Sequence, residues 1–418
     1  MSGFASRWYY GWNIVAAATL VTLVTVGMRL GVGPFFLPIT EDLGFSRSLL
    51  GTIIAVGMLF YGLGMPLAGY LVARYGTKFV LLLGTSIVAI SVLWAVNATT
   101  VTGFMLSFGV LMSIGLAFTS PVAMTPVIAK WFTRQRGMAL FYLSTGSMAG
   151  IAIMTPVFTL LIEAIGWKGT LVAFGALFAC LTVPAALWVI RDDATPEADT
   201  KITASSDGKK DAVKVPLGSL PVLQVIKTRP FWQICFGLFA CGFSMNLLGT
   251  HGMPMLMDHG FDPITSSIGI GLIGLVAIFS TVAMGRVADI LQRRNILSMI
   301  YLLRGLGFFA LLLVGTHWEL YVAASIGGIV WAGSIALSSA ILADVYGVRI
   351  VGILYGWAYL GHQLGATLSS WLGGWGYEVF GTHWVAFGMS GLLLIAAAVV
   401  SYRLPKQGFS LVPAGAKA

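Results

Sequence analysis

Twelve apolar runs, each long enough to cross the roughly 30 Å hydrocarbon core of a bilayer as helix, leave this chain few folds to choose from. They lie near 11–38, 48–74, 76–97, 101–128, 136–165, 168–191, 231–256, 264–290, 296–315, 317–342, 350–377 and 383–403 and are spans 1 to 12 in chain order. Charged residues occupy only 9% of the 418 positions, against about 25% in a soluble domain. Lipid is therefore the main solvent, and each span must pair its own backbone groups. The expected fold class is an all-α membrane protein with twelve transmembrane helices. Met1 to Tyr10 runs straight into a stretch too long for a signal-peptide core, so span 1 is expected to stay attached.

The net charge of +9 raises the question of where the cations lie. With a cytoplasmic N-terminus, 20 of the 24 Lys and Arg fall on the cytoplasmic side, Arg47 and Lys168 outside, and Arg29 and Arg304 within spans. That asymmetry satisfies the positive-inside rule in one orientation only. The reading is a multi-pass protein of the cytoplasmic (inner) membrane with both termini cytoplasmic. Nucleic-acid binding would need a basic face with stacking aromatics on a water-exposed module, and none is visible. Cys180, Cys235 and Cys241 lie inside spans without metal or redox spacing and read as packing residues. His251 and His259 flank a proline eight residues apart, which is not zinc spacing. No catalytic set, metal or cofactor is expected.

One long polar connection, 192–230, divides the chain into a six-helix bundle over 1–191 and another over 231–418 that ends in a short cytoplasmic tail. The connection reads as a cytoplasmic linker. The two sixes repeat one another: PITEDLGF at 38–45 and PMLMDHGF at 254–261 share Pro, Asp, Gly and Phe at an offset of 216. Gly137, Gly146 and Gly150 fall on Gly352, Gly361 and Gly365 at 215, and VAFG at 172–175 falls on VAFG at 385–388 at 213. Two pseudo-symmetric halves of this kind place a binding site between them near mid-membrane.

At this point the residues resemble the major facilitator superfamily. GYLVARYGTK, from Gly69 to Lys78, is similar to its signature between spans 2 and 3, with Ala73 where the aspartate usually stands; the second copy keeps the acid, with Gly285, Asp289, Arg293 and Arg294. The resemblance implies that Arg74, Arg286, Asp289 and Arg293 gate the cytoplasmic ends of the helices. YGW at 10–12, Tyr61 in LFYGLGMP, GLAF at 115–118, KWFTRQRGMAL from Lys130, GWKG at 166–169, HGMPMLMDHGF at 251–261 and GHQLG at 361–365 resemble the monocarboxylate porter branch and its bacterial relatives, near the oxalate and formate antiporters. The animal porters use an Asp and an Arg four apart in span 8, whereas 264–284 here carries no charge, so that coupling device does not transfer.

The polar residues inside the spans carry the functional expectation. Arg29 is the only charge between Trp12 and Leu37, and a mid-bilayer arginine costs roughly 2.5–3.5 kcal/mol on insertion scales. All fifteen acids fall near span ends or in the linker, so no carboxylate offsets it. Either Arg29 is held by backbone carbonyls, or it faces the central cavity and forks onto an anionic cargo, a carboxylate above all. Span 1 lines the cavity in the superfamily, which favours the second. Tyr61, His362, Gln363 and Asn246, one residue from the repeat partner of Arg29, are further binding candidates. Arg304 reads first as a structural arginine of span 9 and second as a binding residue. His362, opposite Ser147 in the repeat register, is also the candidate proton carrier. The expected activity is secondary active transport of a small organic anion, a monocarboxylate, by proton symport or anion exchange in a monomer. The alternative is an exporter of drug-like or cationic compounds, disfavoured by the missing buried acid.

Overall fold

The computed structural model describes residues 9–132, 136–192, 225–331, 333–346 and 351–406, with the side chains of 136–137, 282, 285–286, 288–290 and 351–353 excepted. Most of the expected linker thus lies outside the described residues. The described chain is helical, with no strand among those residues. Ten helical stretches have the length and hydropathy of membrane spans. One, Met138–Val189, is 52 residues long and holds two passes, because Gly166 turns the chain at φ 72° and ψ 169°, a backbone that glycine takes without a Cβ clash. The helix Val351–Phe380 is 30 residues long, its hydropathy diluted by glycine, tyrosine, tryptophan, His362 and Gln363. Counting it, the described residues make the twelve expected passes. Exposed Trp188 and Trp232 mark the linker end of the bundle, and exposed Trp318 and Trp384 mark the opposite, Asp258 end, where indoles favour the headgroup layer.

Three spans are interrupted where continuous helix was expected. Span 1 divides into Gly11–Leu30 and Gly33–Leu43: the Gly31 N–H returns to the Gly27 carbonyl, and Pro34 opens the next segment. Span 4 breaks at Thr119–Ser120 ahead of Pro121–Trp131. Span 10 breaks after His317–Ile329 and resumes at Gly333–Tyr346. Each break frees backbone groups that need partners inside the protein. Their partners follow the repeat. The Thr25 and Thr119 hydroxyls meet at 3.1 Å in the first half, and Cys241 Sγ and Ser334 Oγ meet at 3.2 Å in the second, at offsets of 216 and 215.

Glycine decides how closely paired helices approach. A methyl at Gly146 or Gly150 would stand 2.5 Å from the carbonyl oxygen of Thr19 or Leu23. One at Gly361 would stand 3.1 Å from that of Cys235, and one at Gly365 closer still to that of Phe239. Spans 1 and 5, and likewise 7 and 11, therefore mate backbone to backbone at equivalent registers. Between halves, span 2 packs on span 11 and span 5 on span 8, with Gly51 facing the Ser370 carbonyl and Gly274 the Met148 carbonyl. Among the described residues, every polar contact between the halves lies at mid-depth or at the Asp258 end: Arg29 to Gln363, Gln363 to Met65, and Arg47 to Asp258. At the linker end the bonds stay within a half, as in Arg293 to Asp344 and Asp192 to the Thr77 N–H.

Candidate functional site

Arg29 is the next-to-last residue of the first helix of span 1 and is 9% exposed. The break at Gly31 leaves it at mid-depth, where the two halves meet. Its Nη2 donates to Gln363 Oε1 of span 11 at 3.2 Å, and its Cζ stands 4.4 Å from the centre of the Tyr61 ring of span 2. The Arg29 Nε–H is buried with no acceptor. A guanidinium has five N–H donors, and no carboxylate is paired with this one among the described residues. Desolvated cation–π contact is worth about 2 kcal/mol, which offsets part of the burial cost and leaves the fork geometry available.

Arg29, Tyr61 and Ser113 are the polar side chains on a cavity of about 40 Å³ between spans 1, 2 and 4. Met28, Met58, Phe108 and Met112 supply apolar wall. The space suits about three waters. Gln363 is 2% exposed and turns its Nε2 toward Met65 Sδ at 3.9 Å. Its amide therefore holds Arg29 by the oxygen while keeping its N–H₂ nearly free.

His362 is 2% exposed and neither ring nitrogen has a partner. Its ring stacks on Tyr359 at 4.7 Å between centres and 8° between planes. Both side chains lie within electrostatic range of Arg29. Tyr359 was absent from the sequence expectation, although its position one helical turn before His362 in AYLGHQ is the pattern that brings two rings together. The structure thus gathers Arg29, Tyr61, His362 and Gln363 at the centre and adds Tyr359.

Asn246 and Arg304 go elsewhere. Asn246 Nδ2 donates to the Ala366 carbonyl at 3.0 Å and to the Ser370 hydroxyl, tying span 7 to span 11 rather than facing Arg29. Arg304 is 1% exposed; its Nη2 donates to the Val330 and Trp331 carbonyls and its Nη1 to Cys241 Sγ at 3.2 Å. It fills the break in span 10. His251 Nε2 bonds the Ser370 carbonyl at 2.8 Å. Of the gating candidates, Arg293 grips both Asp344 oxygens at 2.7 Å, and Arg74 donates to Tyr70 of its own helix at 3.1 Å. The side chains of Arg286 and Asp289 lie outside the described residues.

Twelve passes in two related halves, joined across the middle by an arginine with a buried free donor, define a polytopic membrane transporter. The chain belongs to the Major Facilitator Superfamily, which its residues 18–316 and 273–417 match. An uncharacterised MFS-type transporter, YcxA, of Bacillus subtilis (strain 168) is 25% identical over 385 residues, covering 91% of this chain and 89% of that one. Monocarboxylate transporter 12 of Mus musculus is 22% identical over 419 residues, 94% of this chain and 84% of that one. Among solved structures, a bacterial homolog of the human lysosomal transporter Spinster, inward-facing and occupied, superposes with a TM-score of 0.72 at 16% identity over 95% of this chain and 97% of that one. That likeness establishes the shared fold.

Proposed function

We propose that this protein is a secondary active transporter of a small organic anion, a monocarboxylate, working by alternating access around Arg29. One observation carries the reading: a guanidinium buried at mid-depth with a free Nε–H, an amide in place of a counter-ion, and no acid beside it. A cargo carboxylate completes the pair, displacing the Gln363 oxygen and taking the amide N–H₂ as a further donor. The thioether and aromatic wall beside Arg29 suits an apolar tail, and a single fixed cation suits a single carboxylate. Relatives named as monocarboxylate transporters agree with this.

The same reading places both termini and the linker, 192–230, in the cytoplasm and the Asp258 end outside, with the halves 1–191 and 231–418 rocking as units in the cytoplasmic membrane. Arg74, Arg286, Asp289 and Arg293 then act at the cytoplasmic gate. Protons on His362, or a returning counter-anion, provide the drive. Proteoliposomes challenged with labelled lactate, pyruvate, short aliphatic acids, aromatic acids and oxalate test the proposal. Saturable uptake of a monocarboxylate is expected; uptake of cations with no anion would overturn it in favour of an exporter.

A further inference from the structure

The repeat that relates the two halves is broken at the Asp258 end, and that break ties them together. In the first half, Asp42 accepts from Trp167 Nε1 at 3.1 Å and pairs with Lys168 at 2.8 Å, all within that half. An offset of 216 carries Asp42 onto Asp258. There His383 Nε2 donates to Asp258 Oδ2 at 2.8 Å. At the offset of 213 that VAFG sets, Lys168 falls on Gly381, so the second half places no Lys or Arg there for this carboxylate. Arg47 of the first half replaces it, with Nη1 on Oδ2 and Nη2 on Oδ1 at 3.0 Å. Its guanidinium lies 4.1 Å above the Tyr377 ring of span 11.

We propose that Arg47, Asp258 and His383 form a proton-sensitive latch between the halves, shut while His383 is neutral and released when it takes a proton. The geometry around the imidazole gives the reason. Nε2–H donates to Asp258, and Nδ1 is buried in a 7% exposed side chain with no partner. A bare ring nitrogen tolerates that, but a proton there creates a buried N–H with no acceptor and a positive charge that must share Asp258 with Arg47.

The charged and titratable neighbours point the same way. Facing His383 are Asp258 and His259 at the end of span 7, the latter ring 6.4 Å away, Arg47 at the start of span 2, and Tyr377 of span 11 at 4.5 Å. A protonated His383 makes two cations compete for one carboxylate, with Glu41 also attracting Arg47 from the first half. Burial holds the imidazole below its ordinary range, Asp258 opposes that, and Arg47 and His259 add to it. Parting removes the Arg47 charge and leaves the Asp258 partner, so the open form binds the proton more tightly. Each unit of pKa difference between the two forms changes the open-to-closed ratio about tenfold.

The inference rests on the reading that the halves separate at this end, and it is tested without any cargo. Spin labels at Thr99, on a loop of the first half, and His317, at the start of the helix His317–Ile329 in the second, both exposed at the Asp258 end, report the separation in reconstituted full-length protein bearing Cys180→Ser. The inter-label distance is expected to lengthen, and the open population to rise, between pH 8 and pH 5. His383→Gln, which keeps an N–H for Asp258 but does not titrate, is expected to stay closed at both values, and Arg47→Ala to be open at both. A distance unchanged by pH, or a His383→Gln protein that responds as the parent does, would overturn the latch. Anion uptake with an unresponsive distance sinks the latch alone; a responsive distance without anion uptake sinks the cargo reading alone.

Discussion

Arg29 could be read from the sequence because a lone charge in an apolar run has few explanations, and no acid was available at that depth to pair with it. What could not be read was which amide answers it. The repeat put Asn246 opposite Arg29, but the packing of span 7 on span 11 binds Asn246 to the Ala366 carbonyl, and Gln363 meets Arg29 instead. Arg29→Ala is expected to abolish anion uptake and Arg29→Lys to weaken apparent affinity by about tenfold to a hundredfold, since an ammonium lacks the fork. The measurement is uptake normalised to folded protein by size-exclusion profile; normal uptake by the alanine variant would return Arg29 to a structural role. Gln363→Glu makes a sharper test. It supplies a resident carboxylate within reach of Arg29, so uptake is expected to fall while thermal stability holds or rises.

Among the helices, the positions of the spans were plain from hydropathy, but their interruptions were not. Nothing in the run 317–342 announces a break at Val330–Trp331, because Gly327, Gly328 and Gly333 are equally at home in a continuous helix that packs tightly. The break follows from Arg304, whose donors need carbonyl oxygens that an unbroken helix would have kept. Replacing Arg304 with Met is therefore expected to leave those carbonyls unanswered and to cost about 1–3 kcal/mol for each, visible as early unfolding in detergent. Rescue by Lys should be partial, since a single ammonium nitrogen cannot replace both the Nη2 contacts to the carbonyls and the Nη1 contact to Cys241 Sγ. The paired glycines, in contrast, were legible as a repeat before any contact was known. Gly365→Ala pushes a methyl into the Phe239 carbonyl. It is expected to cost about 1–3 kcal/mol by overpacking, whereas Gly356→Ala, in open space, is expected to be silent. Equal losses from the two would argue against backbone mating of spans 7 and 11.

At the scale of the whole molecule, the sequence showed two copies of one design, and the structure shows where the copies diverge. The Asp42 pair is exposed, with Lys168 holding its carboxyl below the usual range, and exposed pairs add little. Asp258 is bound to the other half, and His383 above it is buried. Since the closed protein lowers the His383 pKa below the roughly 6.5 of an unfolded histidine, its contribution is complete above about pH 6.5 and is lost as pH falls through the folded value. Resistance to denaturant in detergent is expected to drop from pH 7 to pH 5 in the parent protein and to drop less in His383→Gln; parallel curves would count against this assignment. A centre that holds an arginine with no acid has an electrical consequence as well. Empty, such a carrier moves one positive charge through the membrane's field when it reorients, at about 2.3 kcal/mol per 100 mV for a full crossing; with an anion aboard it moves none. Imposing a voltage should therefore change the speed of net flux, which needs the empty form to return, and leave one-for-one exchange of labelled anion untouched.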